Sequence, residues 1–189
     1  MFFKFIQWVV KIICAKAEGF NFIISMMHIK LKSKKLHFDK YKIKCAIGKR
    51  GISGTKKEGD GCTPKGAFKF KYLLYRKDKM PKIKSCFKKV SIKKNMGWCD
   101  DPKSNFYNKL IKFPFVYSAE KLYKAESIYD VILVMDYNLK PIIKNKGSAI
   151  FLHMAKKNYS PTKGCIAVSK KDMKLLLTFI NKKTKLIIF

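Results

Sequence analysis

The run Ser148-Ala149-Ile150-Phe151-Leu152-His153-Met154 is almost unbroken apolar sequence, and a second short apolar run, Cys165 to Val168, follows it across a polar stretch that carries Pro161. Runs of this length without polar alternation suit strands buried on both faces. Tyr129 to Met135 is a third such run, expected to pair with Ala149 to His153 across the intervening loop. Elsewhere the pattern has period two. His28-Ile29-Lys30-Leu31-Lys32, Leu36 to Asp39 and Tyr41 to Gly48 read as three short strands with one apolar face each. Ala67 to Leu74 and Thr184 to Phe189 add two more. The chain is therefore expected to be mainly β (α+β), a single domain of mixed strands.

One helix interrupts this pattern. Ser169 and Asp172 have capping-box spacing, and Met173, Leu176, Leu177 and Ile180 fall at i, i+3, i+4 and i+7. The helix thus starts just after the Cys165 run. Gly164 stands immediately before the sulfur, where it permits a backbone angle closed to other residues or a close approach by a ligand. These signals put Cys165 at a loop-to-strand junction, open to a substrate.

Cysteine attacks carbonyls once a neighbouring group takes its proton, and His153 is the only histidine in the second half of the chain. The two read as nucleophile and base. Taken alone, a cysteine in an apolar run is more often core than catalyst. The Thr-x-Gly-Cys context at Thr162 to Cys165, with a histidine on the preceding buried strand, shifts that balance.

The segments Gly147 to Ala155 and Tyr159 to Cys165 resemble the catalytic motif of the L,D-transpeptidase (YkuD-type) family, in which a histidine precedes a Ser/Thr-x-Gly-Cys signature. The similarity extends upstream through Arg50-Gly51-Ile52, Lys57-Glu58-Gly59-Asp60-Gly61, Thr63-Pro64-x-Gly66-x-Phe68, Gly97-Trp98-Cys99-Asp100-Asp101-Pro102 and Tyr129-Asp130. These look like the blocks of a bacterial subgroup and cover roughly residue 43 to the C-terminus. The resemblance implies a β-sandwich fold and a cysteine-dependent L,D-transpeptidase that works on peptidoglycan stem peptides through a thioester. Cys165 and His153 would be catalytic, with Gly164 and Thr162 supporting the oxyanion and the turn. Lys163, Tyr159 and Trp98 are expected to line the substrate cleft. The same residues would serve an L,D-carboxypeptidase or peptidoglycan hydrolase with water as acceptor. The rival outside this class is a basic wall- or nucleic-acid-binding module in which Cys165 is core.

Two positions depart from the family pattern. Lys163 stands where many members carry a histidine before the motif glycine, and as a nearby cation it is expected to favour the thiolate. Ala167 stands where others carry Arg or Asn, and it cannot grip a carboxylate.

The remaining features bound the reading. A formal charge of +31 arises from 43 basic and 12 acidic residues, which predicts attraction to polyanions. Only Arg50 and Arg76 are arginine, however, and base-edge recognition favours the arginine fork, so no nucleic-acid partner is expected. The six cysteines are far apart with no Cys-x-x-Cys, and His28 and His37 lack partners at ligand spacing, so neither a metal nor a cofactor is expected. The six glycines between Gly48 and Gly66 make a loop without a phosphate-cradling pattern. Residues 76 to 128 read as irregular. Residues 1–27 form an uncertain N-terminal segment, a weak export signal or anchor or a misassigned start, ahead of a catalytic domain at 28–189. Membrane association would come only through that segment, and the substrate points to the cell envelope or periplasm.

Overall fold

The computed structural model describes residues 27–189, and the expectations for the N-terminal segment lie outside them save at residue 27. The strands run β1 (Ile29–Lys32), β2 (Lys35–Phe38), β3 (Tyr41–Ala46), β4 (Ile52–Ser53), β5 (Thr63–Pro64), β6 (Gly66–Tyr75) and β7 (Lys89–Ser91). They continue with β8 (Met96–Cys99), β9 (Leu110–Lys112), β10 (Ala119–Lys121), β11 (Val131–Met135), β12 (Phe151–Met154), β13 (Ile166–Val168) and β14 (Lys185–Ile188). A short 3-10 turn, Ser127–Tyr129, precedes β11, and the helix α1 (Lys170–Phe179) follows β13.

Nine strands form one sheet in the order β11-β12-β13-β3-β2-β1-β14-β6-β7, and β6 also pairs with β11. That extra pairing closes the sheet on itself, so the mainly β architecture is barrel-like. The period-two strands explain the closure. Ile29, Leu31, Leu36, Phe38, Ile43 and Cys45 share one apolar core with the alternate residues of β11 to β14, while the lysines between them face solvent. Met173, Leu176 and Leu177 from α1 join that core. The helix begins as its sequence dictates: Ser169 Oγ accepts from the Asp172 amide at 3.0 Å and donates to the Asp172 carboxylate at 2.7 Å.

A second core lies on the outer face of β6, β11 and β12, where Leu74, Ile132, Val134 and Phe151 pack beneath Ile92, Trp98 and Leu122. The cover is a three-stranded sheet, β10-β8-β9. It lies in the stretch whose lysines and prolines read as irregular, because strands of three or four residues are too short to show a period. Strands β11 and β12 are therefore buried on both faces, as their unbroken apolar composition requires. Their antiparallel register places Ile132 opposite His153 and Val134 opposite Phe151.

Candidate functional site

Strands β12 and β13 run parallel, with Leu152 opposite Ile166 and His153 opposite Ala167. Side chains two residues apart on a strand share a face, so Cys165, one step before β13, points to the same side as His153 and Phe151. That side is the outer one, facing the small sheet. A cleft of about 600 Å³ opens there, lined by both His153 and Cys165.

The sulfur is fixed by backbone groups. The Phe151 amide donates to Cys165 Sγ at 3.4 Å, and the thiol donates to the Ala149 carbonyl at 3.0 Å. Burial pushes the Cys165 thiol up to about 12, opposed by the Phe151 hydrogen bond and by the charge of Lys56. The expectation that Lys163 would favour the thiolate is thus corrected: burial dominates, and the cation that opposes it is Lys56. Lys163 itself is an exposed residue on the cleft wall.

His153 is 7% exposed, and its Nδ1 lies 2.9 Å from the Met154 carbonyl oxygen. A carbonyl only accepts, so that nitrogen carries the proton and Nε2 is left as a base. Burial holds the imidazole below its ordinary range, while hydrogen bonds with the Met154 and Ile128 backbone favour the charged ring. The resting pair is therefore a neutral thiol and a neutral imidazole. The Tyr129 ring stands edge-on to His153 at 5.2 Å and 88°. Burial, with the nearby Cys165 and Glu120, raises the pKa of its hydroxyl.

The turn before the sulfur is built from the glycine-rich loop. Gly164 has φ +141, and a Cβ there would stand 2.8 Å from the Cys62 carbonyl oxygen. Thr162 Oγ1 donates to the Cys165 carbonyl at 2.6 Å and accepts from the Gly164 amide at 3.1 Å. That amide is therefore committed to the turn rather than free to face an oxyanion. From the other side, Thr63 Oγ1 donates to the Gly164 carbonyl and accepts from the Gly48 amide, both at 2.9 Å. Lys56 is anchored by Asp60 at 2.6 Å. Burial opposes ionisation of Asp60, yet the hydrogen bonds from Lys56 and from the Cys62 and Lys57 amides hold its carboxyl below the usual range.

Two residues expected at the cleft lie elsewhere. Trp98 is buried behind Phe151, with rings 5.0 Å apart and edge to face, and its indole N–H donates to Asn108 Oδ1. Tyr159 borders a neighbouring hollow, under the ammonium of Lys44. Sequence reasoning passed over Lys56 and Glu120, and it noted Thr63 and Tyr129 only as members of motif blocks without a role. Among the described residues no group of His, Cys, Asp and Glu is placed to hold a metal, and Cys45, Cys62, Cys99 and Cys165 are unbridged. No helix there is long and apolar enough to cross a membrane.

The class defined so far is a barrel-like β domain with a thiol and an imidazole facing one cleft. The family described as the L,D-transpeptidase catalytic domain (YkuD) matches residues 28–188, and the chain belongs to that family. The chain is also similar to a protein whose solved structure is titled "Structure of Bdellovibrio bacteriovorus Bd1075", at 19% identity and a TM-score of 0.47, with 93% of this chain and 50% of that chain covered. It therefore spans about half the length of that protein. No curated protein matches the chain.

Proposed function

We propose that this protein is a cysteine-dependent L,D-transpeptidase that acts on peptidoglycan stem peptides in the cell envelope. The observation that carries the reading is that Cys165, one residue before β13, and His153, on the parallel neighbour β12, present their side chains to one cleft.

The chemistry follows from the resting protonation state. Because the thiol is neutral, it loses its proton as it attacks, and Nε2 of His153 is the acceptor. The imidazolium that forms gains from its backbone partners at Met154 and Ile128. Sulfur bonds to the carbonyl carbon of the stem peptide. Collapse breaks the carbon–nitrogen bond, and His153 returns its proton to the departing D-amino acid. The thioester on Cys165 then passes to an amine of a second stem. Lys163, on the cleft wall, meets the peptide, while Thr162 and Gly164 hold the sulfur's backbone in place. The Cys165 amide is the remaining backbone donor for the oxyanion.

The test is incubation with purified muropeptides and mass spectrometry of products and protein. Wild type is expected to lose a terminal D-amino acid from the donor, carry a thioester on Cys165 and form a cross-link, and Cys165→Ala is expected to do none of these. Release of the D-amino acid without a cross-link would favour the hydrolase, and an inert wild type would refute both.

A further inference from the structure

In a chain with 43 basic and 12 acidic residues, four of the twelve acids, Glu58, Asp100, Glu120 and Glu126, line the cleft that holds Cys165. Five lysines, Lys49, Lys56, Lys124, Lys156 and Lys163, line it as well, so its carboxylates stand among ammonium groups. Glu120 is the acid whose charge acts on both Cys165 and His153. Its charge also acts on Tyr129, whose ring is edge-on to His153.

That carboxylate already holds a primary ammonium. Lys124 Nζ lies 2.8 Å from Glu120 Oε1 and 5.8 Å from the centre of the Tyr129 ring. A carboxylate on one side and an aromatic face on the other make a seat for an alkylammonium. The Lys124 and Glu120 side chains are 29% and 27% exposed, so the contact is open to exchange. The cleft also contains an unused polar group. Ser148 lines it, is 7% exposed, and its buried hydroxyl has no hydrogen-bond partner among the described residues. A buried hydroxyl left without a partner is costly, and a bound polar ligand supplies one.

We infer that Glu120 and the Tyr129 ring form the seat for the acceptor's primary ammonium, that Lys124 occupies this seat at rest, and that an incoming amine-bearing stem displaces it. The inference rests on the transpeptidase reading and assigns the acceptor as an amine rather than water. From the seat, the ammonium gives one proton to His153 and becomes a free amine. Its nitrogen attacks the thioester carbonyl, the carbon–nitrogen bond forms and the carbon–sulfur bond breaks. Of the two protons the ammonium sheds in becoming an amide, one ends on Cys165 through His153 and the other goes to solvent.

Two substitutions with opposite signs test this. A tetrapeptide donor and an amine-bearing tripeptide acceptor are supplied to wild type, Glu120→Gln and Lys124→Met, and cross-linked and hydrolysed products are counted by mass spectrometry. Loss of one partly exposed ionic contact corresponds to about a fivefold change in the KM for the acceptor. Glu120→Gln raises that KM and shifts products towards hydrolysis. Lys124→Met, which vacates the seat, lowers it. Thermal melts accompany both variants, and should Glu120→Gln fail to fold, the sign of the Lys124→Met change decides. Both variants moving KM the same way, or neither moving it, overturns the inference while leaving the transpeptidase intact. A wild type that hydrolyses the donor and never cross-links also overturns it. A wild type that forms no thioester on Cys165 removes the proposed function itself.

Discussion

Thr63 lies 102 residues before Cys165 and yet holds the turn that presents it, so replacing it should disturb a site it does not touch. Its hydroxyl is fully buried and makes two hydrogen bonds of 2.9 Å, giving one to the Gly164 carbonyl and taking one from the Gly48 amide. Thr63→Val keeps the shape and removes both. Each buried backbone group left without a partner costs about 1–3 kcal/mol, and with partial relaxation the pair should cost about 2–4 kcal/mol. Against a typical stability of about 5–15 kcal/mol that is a large share. For a domain of this size it corresponds to a fall in Tm of roughly 4–16 °C. The assay is urea unfolding followed by tryptophan fluorescence, with the exposed Thr55→Val as control, expected within about 0.5 kcal/mol of wild type. Donor cleavage should fall as well, because the Gly164 turn loses its buttress. A loss below about 1 kcal/mol, with the control unchanged, would refute the claim that this hydroxyl ties the glycine-rich loop to the sulfur.

Other substitutions probe the same site from different sides. Gly164→Ala should abolish donor cleavage and lower Tm, since its Cβ meets the Cys62 carbonyl and its φ is positive; near-wild-type turnover of muropeptides would contradict this. Alkylation of Cys165 by iodoacetamide, followed by mapping the modified peptide, should quicken with each unit of pH well beyond 9 and show no plateau near neutrality, because burial pushes the thiol up to about 12. His153 has the opposite sign: its folded pKa lies below the unfolded value of about 6.5, so its contribution is complete above that pH and is lost as pH falls. Donor cleavage should fall along the same acid limb, and the stability slope below pH 6.5 measured by urea titration should flatten in His153→Gln. Trp98→Ala should cost about 3–5 kcal/mol by emptying the space behind Phe151, and a smaller loss in the urea midpoint would show that the cover sheet adds little.

Cys165 and His153 were legible as candidates in the chain because each sits in a local pattern. His153 ends an apolar run that only a doubly covered strand accommodates, and Cys165 follows a glycine that its φ requires. The capping residues Ser169 and Asp172 set the start of α1, and the alternation of Ile29, Leu31, Leu36, Phe38, Ile43 and Cys45 set the face each strand buries. Such signals act over two to four residues, the range over which a period or a cap is written. Tertiary structure alone decided the rest. Closure of the sheet through β6 and β11 joins residues 70–75 to 131–135, and no local period encodes a partner that distant. Trp98 stands in a motif suggestive of the cleft, yet the pairing of β8 between β9 and β10 turns its ring inward onto Phe151. Glu120, Tyr129 and Lys56 come to the cleft, and Thr63 to the Gly164 turn, from separate segments. Burial at the end of that assembly, rather than any neighbouring charge in sequence, determines that the thiol is protonated at rest.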